Sequence, residues 1–108
     1  MNPRIASLEK MLGGPRDGAL LRFSLGNEYL RIDAPAKAAE AFQAAVERDP
    51  NYSAAWKALG KARAAAGDTT GALAAYERGI AVAEARGDIQ AAREMTVFAK
   101  RLRPAGGR

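Results

Sequence analysis

The chain has 108 residues, 48% hydrophobic but only 6% aromatic, and its 17 Lys and Arg outnumber 12 Asp and Glu for a net charge of +5. That length allows one domain with a modest core, and an alanine-rich, aromatic-poor mixture argues for closely packed helices and against a β-sandwich. With no cysteine and no histidine, zinc and iron–sulfur sites lose their usual ligands and Cys/His nucleophile pairs are excluded; carboxylate-only Mg or Ca sites remain conceivable, but no Asp-rich loop has ligand spacing, so no cofactor is expected.

Taken in chain order, Ile5, Leu8 and Leu12 fall at helical spacing with Met11 beside them, which predicts a short amphipathic helix over residues 3–12. Gly13-Gly14-Pro15 ends it, and Asp17 is placed to cap a helix that runs to about Arg31 with Leu21, Leu25 and Tyr29 on one face. Asp33-Ala34-Pro35 marks a turn with proline opening the next helix, residues 35–48, whose apolar stripe is Ala38, Ala41, Phe42, Ala45 and Val46. After Asp49-Pro50-Asn51, either Asn51 or Ser53 can cap a helix to about Ala66 that buries Trp56, Leu59 and Ala62. Gly67-Asp68 and Gly87-Asp88 each combine a glycine stop with an N-cap acid. They bound a helix over 69–86, burying Leu73, Tyr76, Ile80 and Val82 or Ala83, and a last helix over 88–102 with Ala91 or Ala92, Met95, Phe98 and Leu102 inward. Asp33 and Asp68 read as helix caps, and residues 104–108 as a frayed tail.

No apolar run approaches the ~20 residues a membrane helix needs, and Met1-Asn2-Pro3-Arg4 does not open a signal-peptide core. A cytoplasmic protein without membrane contact is expected. The basicity is concentrated at one end: from Arg93 onward five basic residues face one acid, whereas twelve face eleven before it.

Two stretches repeat each other at a period of 34 residues. Leu25-Gly26 recurs as Leu59-Gly60, Ala38 as Ala72, Ala41 as Ala75, Phe42 as Tyr76 and Val46 as Ile80. Such a period is the mark of stacked helix–turn–helix units. These residues resemble the tetratricopeptide-repeat family. The first unit supplies Leu25, Gly26, Tyr29, Ala38, Phe42, Ala45 and Pro50, and the second Trp56, Leu59, Gly60, Ala72 and Tyr76, with Gly79 where the family prefers alanine. Arg22 stands opposite Trp56 in register, Arg63 opposite Tyr29, Glu84 replaces a proline, and no Leu-Gly occurs a further period along, at Arg93 and Glu94.

The resemblance implies an all-α, right-handed stack of helical hairpins with about six helices in one domain, residues 1–103. Its repeats are placed at about 19–52 and 53–86, with the helices over 3–12 and 88–102 as caps. Two repeats alone bury too little, so the caps or a second copy must supply the rest; a monomer or weak homodimer is expected. Trimming either end is expected to unfold the domain. The small residues Gly26, Ala38, Gly60 and Ala72 would let helices approach closely, while Phe42 and Tyr76 fill the gap between one pair and the next.

The same resemblance implies a non-catalytic adaptor, scaffold or co-chaperone-like module that binds a peptide or partner protein in a concave groove. By position the groove is lined by Phe23, Asn27 and Leu30 from the first unit and by Lys57, Lys61 and Ala64 from the second. Lys57 and Lys61, one turn apart, suit an acidic segment with apolar residues. A terminal-carboxylate clamp of the kind some members carry is not assembled: Phe23 stands at its first basic position, Ala58 at its second asparagine, and Asp88 and Ala92 at its remaining basic ones. The alternative reading is nucleic-acid or anionic-surface binding through Lys100, Arg101, Arg103 and Arg108, which lack interleaved aromatics. No candidate base lies beside a candidate nucleophile, so no catalysis is expected.

Overall fold

The computed structural model describes residues 2–104. The expected frayed tail therefore lies, apart from Pro104, outside the described residues, as does Arg108. Six helices follow in order: α1 (Pro3–Glu9), α2 (Ala19–Arg31), α3 (Pro35–Arg48), α4 (Ser53–Ala65), α5 (Thr69–Ala85) and α6 (Ile89–Leu102). There are no strands among the described residues. Consecutive helices pack as antiparallel hairpins, α2 also touches α4, and α4 touches α6, giving a stack with extents of 45 × 29 × 18 Å. The helices α2, α4 and α6 thus lie side by side in one layer, with α3 and α5 behind them.

Three turns reuse one piece of backbone chemistry. At the end of α4, Gly67 takes φ +87 and the Asp68 N–H donates to the Arg63 carbonyl at 2.8 Å. At the end of α5, Gly87 takes φ +77 and the Asp88 N–H donates to the Ala83 carbonyl at 2.8 Å. At the end of α2 the same left-handed position is held by Asp33, φ 59, with Ala34 N–H on the Tyr29 carbonyl at 2.8 Å. This satisfies carbonyls that a helix end leaves unpaired and reverses the chain within three residues. Asp68 and Asp88 then cap the following helices by accepting the Gly71 and Ala91 N–H groups.

Four local expectations are corrected. Asp33 is not a cap: Ala34 precedes α3 with no side-chain bond, and Asp33 instead occupies the left-handed turn. Asp17 is not a cap either, since Gly18 precedes α2 without a side-chain bond. Its carboxylate is already engaged by the Gly13 N–H (2.9 Å) and the Arg22 guanidinium (2.8 and 2.9 Å). Neither Asn51 nor Ser53 caps α4, which begins after Tyr52. Finally, α1 ends at Glu9 rather than at residue 12; Lys10–Leu12 form turns that leave Met11 and Leu12 exposed.

The core forms where the 34-residue pattern places it. All five residues of the α3 stripe are buried, and Phe42 and Leu59 are each at 0% exposure. An added Cβ on Gly26 would stand 2.4 Å from Phe42 Cε1, and one on Gly60 would stand 2.4 Å from Tyr76 Cε1. Each aromatic ring therefore lies flat against the glycine of its own hairpin, and glycine there brings the two backbones together. Beyond the glycine, Phe42 joins Leu59 and Ala62 of α4, and Tyr76 joins Met95 and Ala99 of α6. Gly79 departs from the family's alanine for a similar reason: its Cβ would lie 2.4 Å from Met95 Sδ and 2.9 Å from Trp56 Cβ.

Four expected core residues sit differently. Trp56 is only half-buried, its indole N–H donating to the Pro50 carbonyl at 2.8 Å while Arg78 lies 5.3 Å over the ring. Leu73, Ile80 and Val82 are likewise half-buried, leaving Ala72, Ala75, Tyr76, Gly79 and Ala83 as the buried face of α5. At the N-terminus, α1 contributes one buried residue, Ile5, against Leu25 and Ala41, and Tyr29 donates to Glu9 at 2.5 Å.

Candidate partner-binding face

The face formed by α2, α4 and α6 is assembled from residues at i, i+4 and i+7 on each helix, which share one side. On α2 these are Phe23, Asn27 and Leu30. Asn27 is exposed, while Phe23 and Leu30 are half-buried and pack on the core. Phe23 stands 5.7 Å from the Phe42 ring and 5.0 Å from the Tyr52 ring, so it belongs largely to the packing between hairpins.

On α4 the equivalent residues are Lys57, Lys61 and Ala64, and the structure separates the two lysines. Lys57 Nζ lies 2.8 Å from Glu94 Oε1 of α6, an ion pair that ties the two helices across the layer. The nearby ammonium holds the Glu94 carboxyl below its usual range, Lys57 being the main cause and Lys61 a smaller one. Lys61 is exposed, and among the described residues no carboxylate comes within salt-bridge distance of it. Of the two lysines that the sequence groups as one cationic seat, Lys57 is thus paired within the molecule and Lys61 is not paired with a carboxylate of the described residues.

Between α4 and α6 the layer opens into a cleft of about 270 Å³ lined by Lys61, Ala64, Tyr76, Phe98, Arg101 and Leu102. Its floor is apolar. Tyr76, 2% exposed, packs with Phe98 at 5.8 Å between ring centres, and burial alone pushes its phenol up to about 12. Lys61 stands on one wall and Arg101 on the other, and both are exposed. Arg101 too has no carboxylate within salt-bridge distance among the described residues.

Phe98 lies one period of 34 beyond Ala64, but Arg101 and Leu102 repeat no groove position, because α5 has 17 residues where α3 has 14. Helix α6 therefore starts 36 residues after α4, and a period of 34 sets Arg101 and Leu102 against Gly67 and Asp68, in a turn. Counted from the helix starts, Met95 takes the place of Leu59, and both are at 0% exposure. Of the other terminal cations, Lys100 is exposed and Arg103 lies 3.6 Å from Glu77.

Repeated helical hairpins with an open inner layer define the class. A family model described as tetratricopeptide repeat matches residues 19–62. A TPR repeat-containing protein of Pseudomonas aeruginosa is 56% identical over 98 residues, covering 91% of this chain and 93% of that protein. A protein from Bordetella parapertussis with a solution structure superposes with a TM-score of 0.78 at 43% identity, over 94% of this chain and 89% of that one. The Sgt2 TPR domain from Aspergillus fumigatus gives 0.76 at 32% identity, over 90% of this chain and 64% of that one. The chain belongs to the tetratricopeptide-repeat family, whose repeats generally mediate protein–protein interaction and are typically non-catalytic. Among the described residues no helix is long and apolar enough to cross a membrane.

Proposed function

We propose that the chain is a non-catalytic adaptor that holds a segment of a partner protein along the face of α2, α4 and α6. One observation carries this reading: Asn27, Lys61 and Arg101 stand exposed along the layer while the residues between them pack inward. A face of that kind offers polar contacts over an apolar floor, which is how extended or helical segments are held in grooves. The competing use of the terminal cations on nucleic acid draws on fewer groups, since Arg103 is occupied by Glu77.

The test is site-specific photo-cross-linking in the source cell. A photoreactive residue at Asn27 or Lys61 is expected to give protein adducts that the same residue at Glu40 or Ala81, exposed positions on α3 and α5, does not. Adducts formed equally from the α3 and α5 positions would overturn the proposal.

A further inference from the structure

We infer that the cleft between α4 and α6 is an anchoring subsite for an acidic protein segment, taking an apolar side chain flanked by carboxylate side chains. The inference rests on the reading of the inner face given above and specifies the chemistry recognised there. The floor of Ala64, Tyr76, Phe98 and Leu102 offers apolar surface and room enough for a leucine or phenylalanine side chain. The two walls carry Lys61 and Arg101, neither held by a carboxylate of the described residues. Cations on either side of an apolar seat favour carboxylates on either side of the seated group, and a guanidinium adds a two-pronged contact.

The rest of the layer sharpens this selection. Lys57 is neutralised by Glu94, so the attraction is concentrated at the cleft rather than spread along α4. A second copy of this chain is a poor occupant, because the protein is itself basic, with a net charge of +5. An apolar seat with only two cations beside it also fits a peptide better than a nucleic-acid backbone, which needs a run of cations following its phosphates.

The probe is a fluorescein-labelled, C-amidated peptide of the pattern Glu-Glu-Leu-Phe-Glu-Glu, titrated with the full chain and read by anisotropy. Saturable binding is expected, weakening as salt rises and weakening at least about tenfold in Lys61→Glu/Arg101→Glu. Both positions are exposed, and an unchanged helical circular-dichroism spectrum checks that the variant folds. Amide shifts in the unaltered protein, centred on Ala64, Phe98 and Leu102, give a readout that needs no variant.

The inference is overturned if the peptide fails to bind, if its Gln-for-Glu counterpart binds as well, or if the double variant binds unchanged. It is equally overturned if a peptide ending in a free leucine carboxylate without flanking acids is preferred, or if a single-stranded oligonucleotide competes with the same dependence on Lys61 and Arg101. Loss of binding in Leu30→Glu but not in the double variant would remove the cleft and leave the inner-face reading standing. Cross-links from α3 and α5 would remove that reading itself.

Discussion

The ring of Phe42 occupies the space that a methyl group on Gly26 would need, with Cε1 2.4 Å from the missing Cβ, and Tyr76 stands in the same relation to Gly60. Two independent pairs sharing one geometry give a sharp test of packing. In Gly26→Ala the overlap costs about 1–3 kcal/mol, while the gain in helix propensity returns only about 1 kcal/mol. Gly26→Ala should therefore unfold at lower urea, and Phe42→Leu should cost less in that background than alone. A double-mutant cycle by urea denaturation measures the coupling. Independent, additive losses would mean that the ring does not press on the glycine.

Asp33 holds the left-handed position that glycine holds at Gly67 and Gly87. No described hydrogen bond or ion pair depends on its side chain, so Asp33→Gly should raise stability by about 0.5–1 kcal/mol. Thermal melts of the variant would show a higher Tm; a lower one would contradict the equivalence of the three turns.

Asp17 joins the segment between α1 and α2 to α2 itself, and chiefly its bond to Arg22, then the Gly13 N–H, hold its carboxyl far below the ordinary 3.8. Because the folded-state value is depressed, the contribution is complete above the unfolded value and fades as pH falls below about 4. Stability measured from pH 7 down to 2 should drop in that window, and Asp17→Asn should flatten part of the drop. An Asp17→Asn profile that parallels the original would dismiss the role.

The Lys57–Glu94 pair links α4 to α6 with both side chains about a third or more exposed, so Lys57→Ala should cost no more than about 1 kcal/mol. It should, however, return the Glu94 carboxyl upward toward its ordinary 4.5, since Lys57 is the principal cause of the lowering. A side-chain carboxyl NMR titration reads this directly. Charge reversal at Lys57 would disturb the seating of α6 as well as any ligand, which makes Lys61 the cleaner position for testing partner capture.

The two ends of the stack differ in weight. Helix α1 buries Ile5 alone, worth about 1.5–3 kcal/mol, whereas α6 covers Ala72, Tyr76 and Ala83 with Ala92, Met95 and Ala99. A chain beginning at residue 17 should melt earlier but still fold, and one ending at residue 87 should not fold. Equal losses from both cuts would contradict this division of the core.

Much of the stack was legible because its signals are local or periodic. The Gly67-Asp68 and Gly87-Asp88 turns and the α3 stripe report on neighbours within one turn or one helix, and the small residues Gly26, Ala38, Gly60 and Ala72 announce close packing by recurring at the 34-residue period. The misread positions depend on groups far along the chain or on competition for one side chain. Asp17 was free to cap only until Arg22 and Gly13 claimed it, and the longer α5 carried Arg101 and Leu102 out of the counted register. Lys57 meets Glu94 across 37 positions, a separation that no period in the sequence announces.

The central claim is that partner contact is confined to the inner layer. Backbone amide shifts of the isotopically labelled chain, recorded with and without the cross-linked partner segment, test it most directly. The account predicts changes along α2, α4 and α6, strongest around Lys61 and Phe98, with the outward faces of α3 and α5 unmoved. Changes concentrated on α3 and α5 would contradict it.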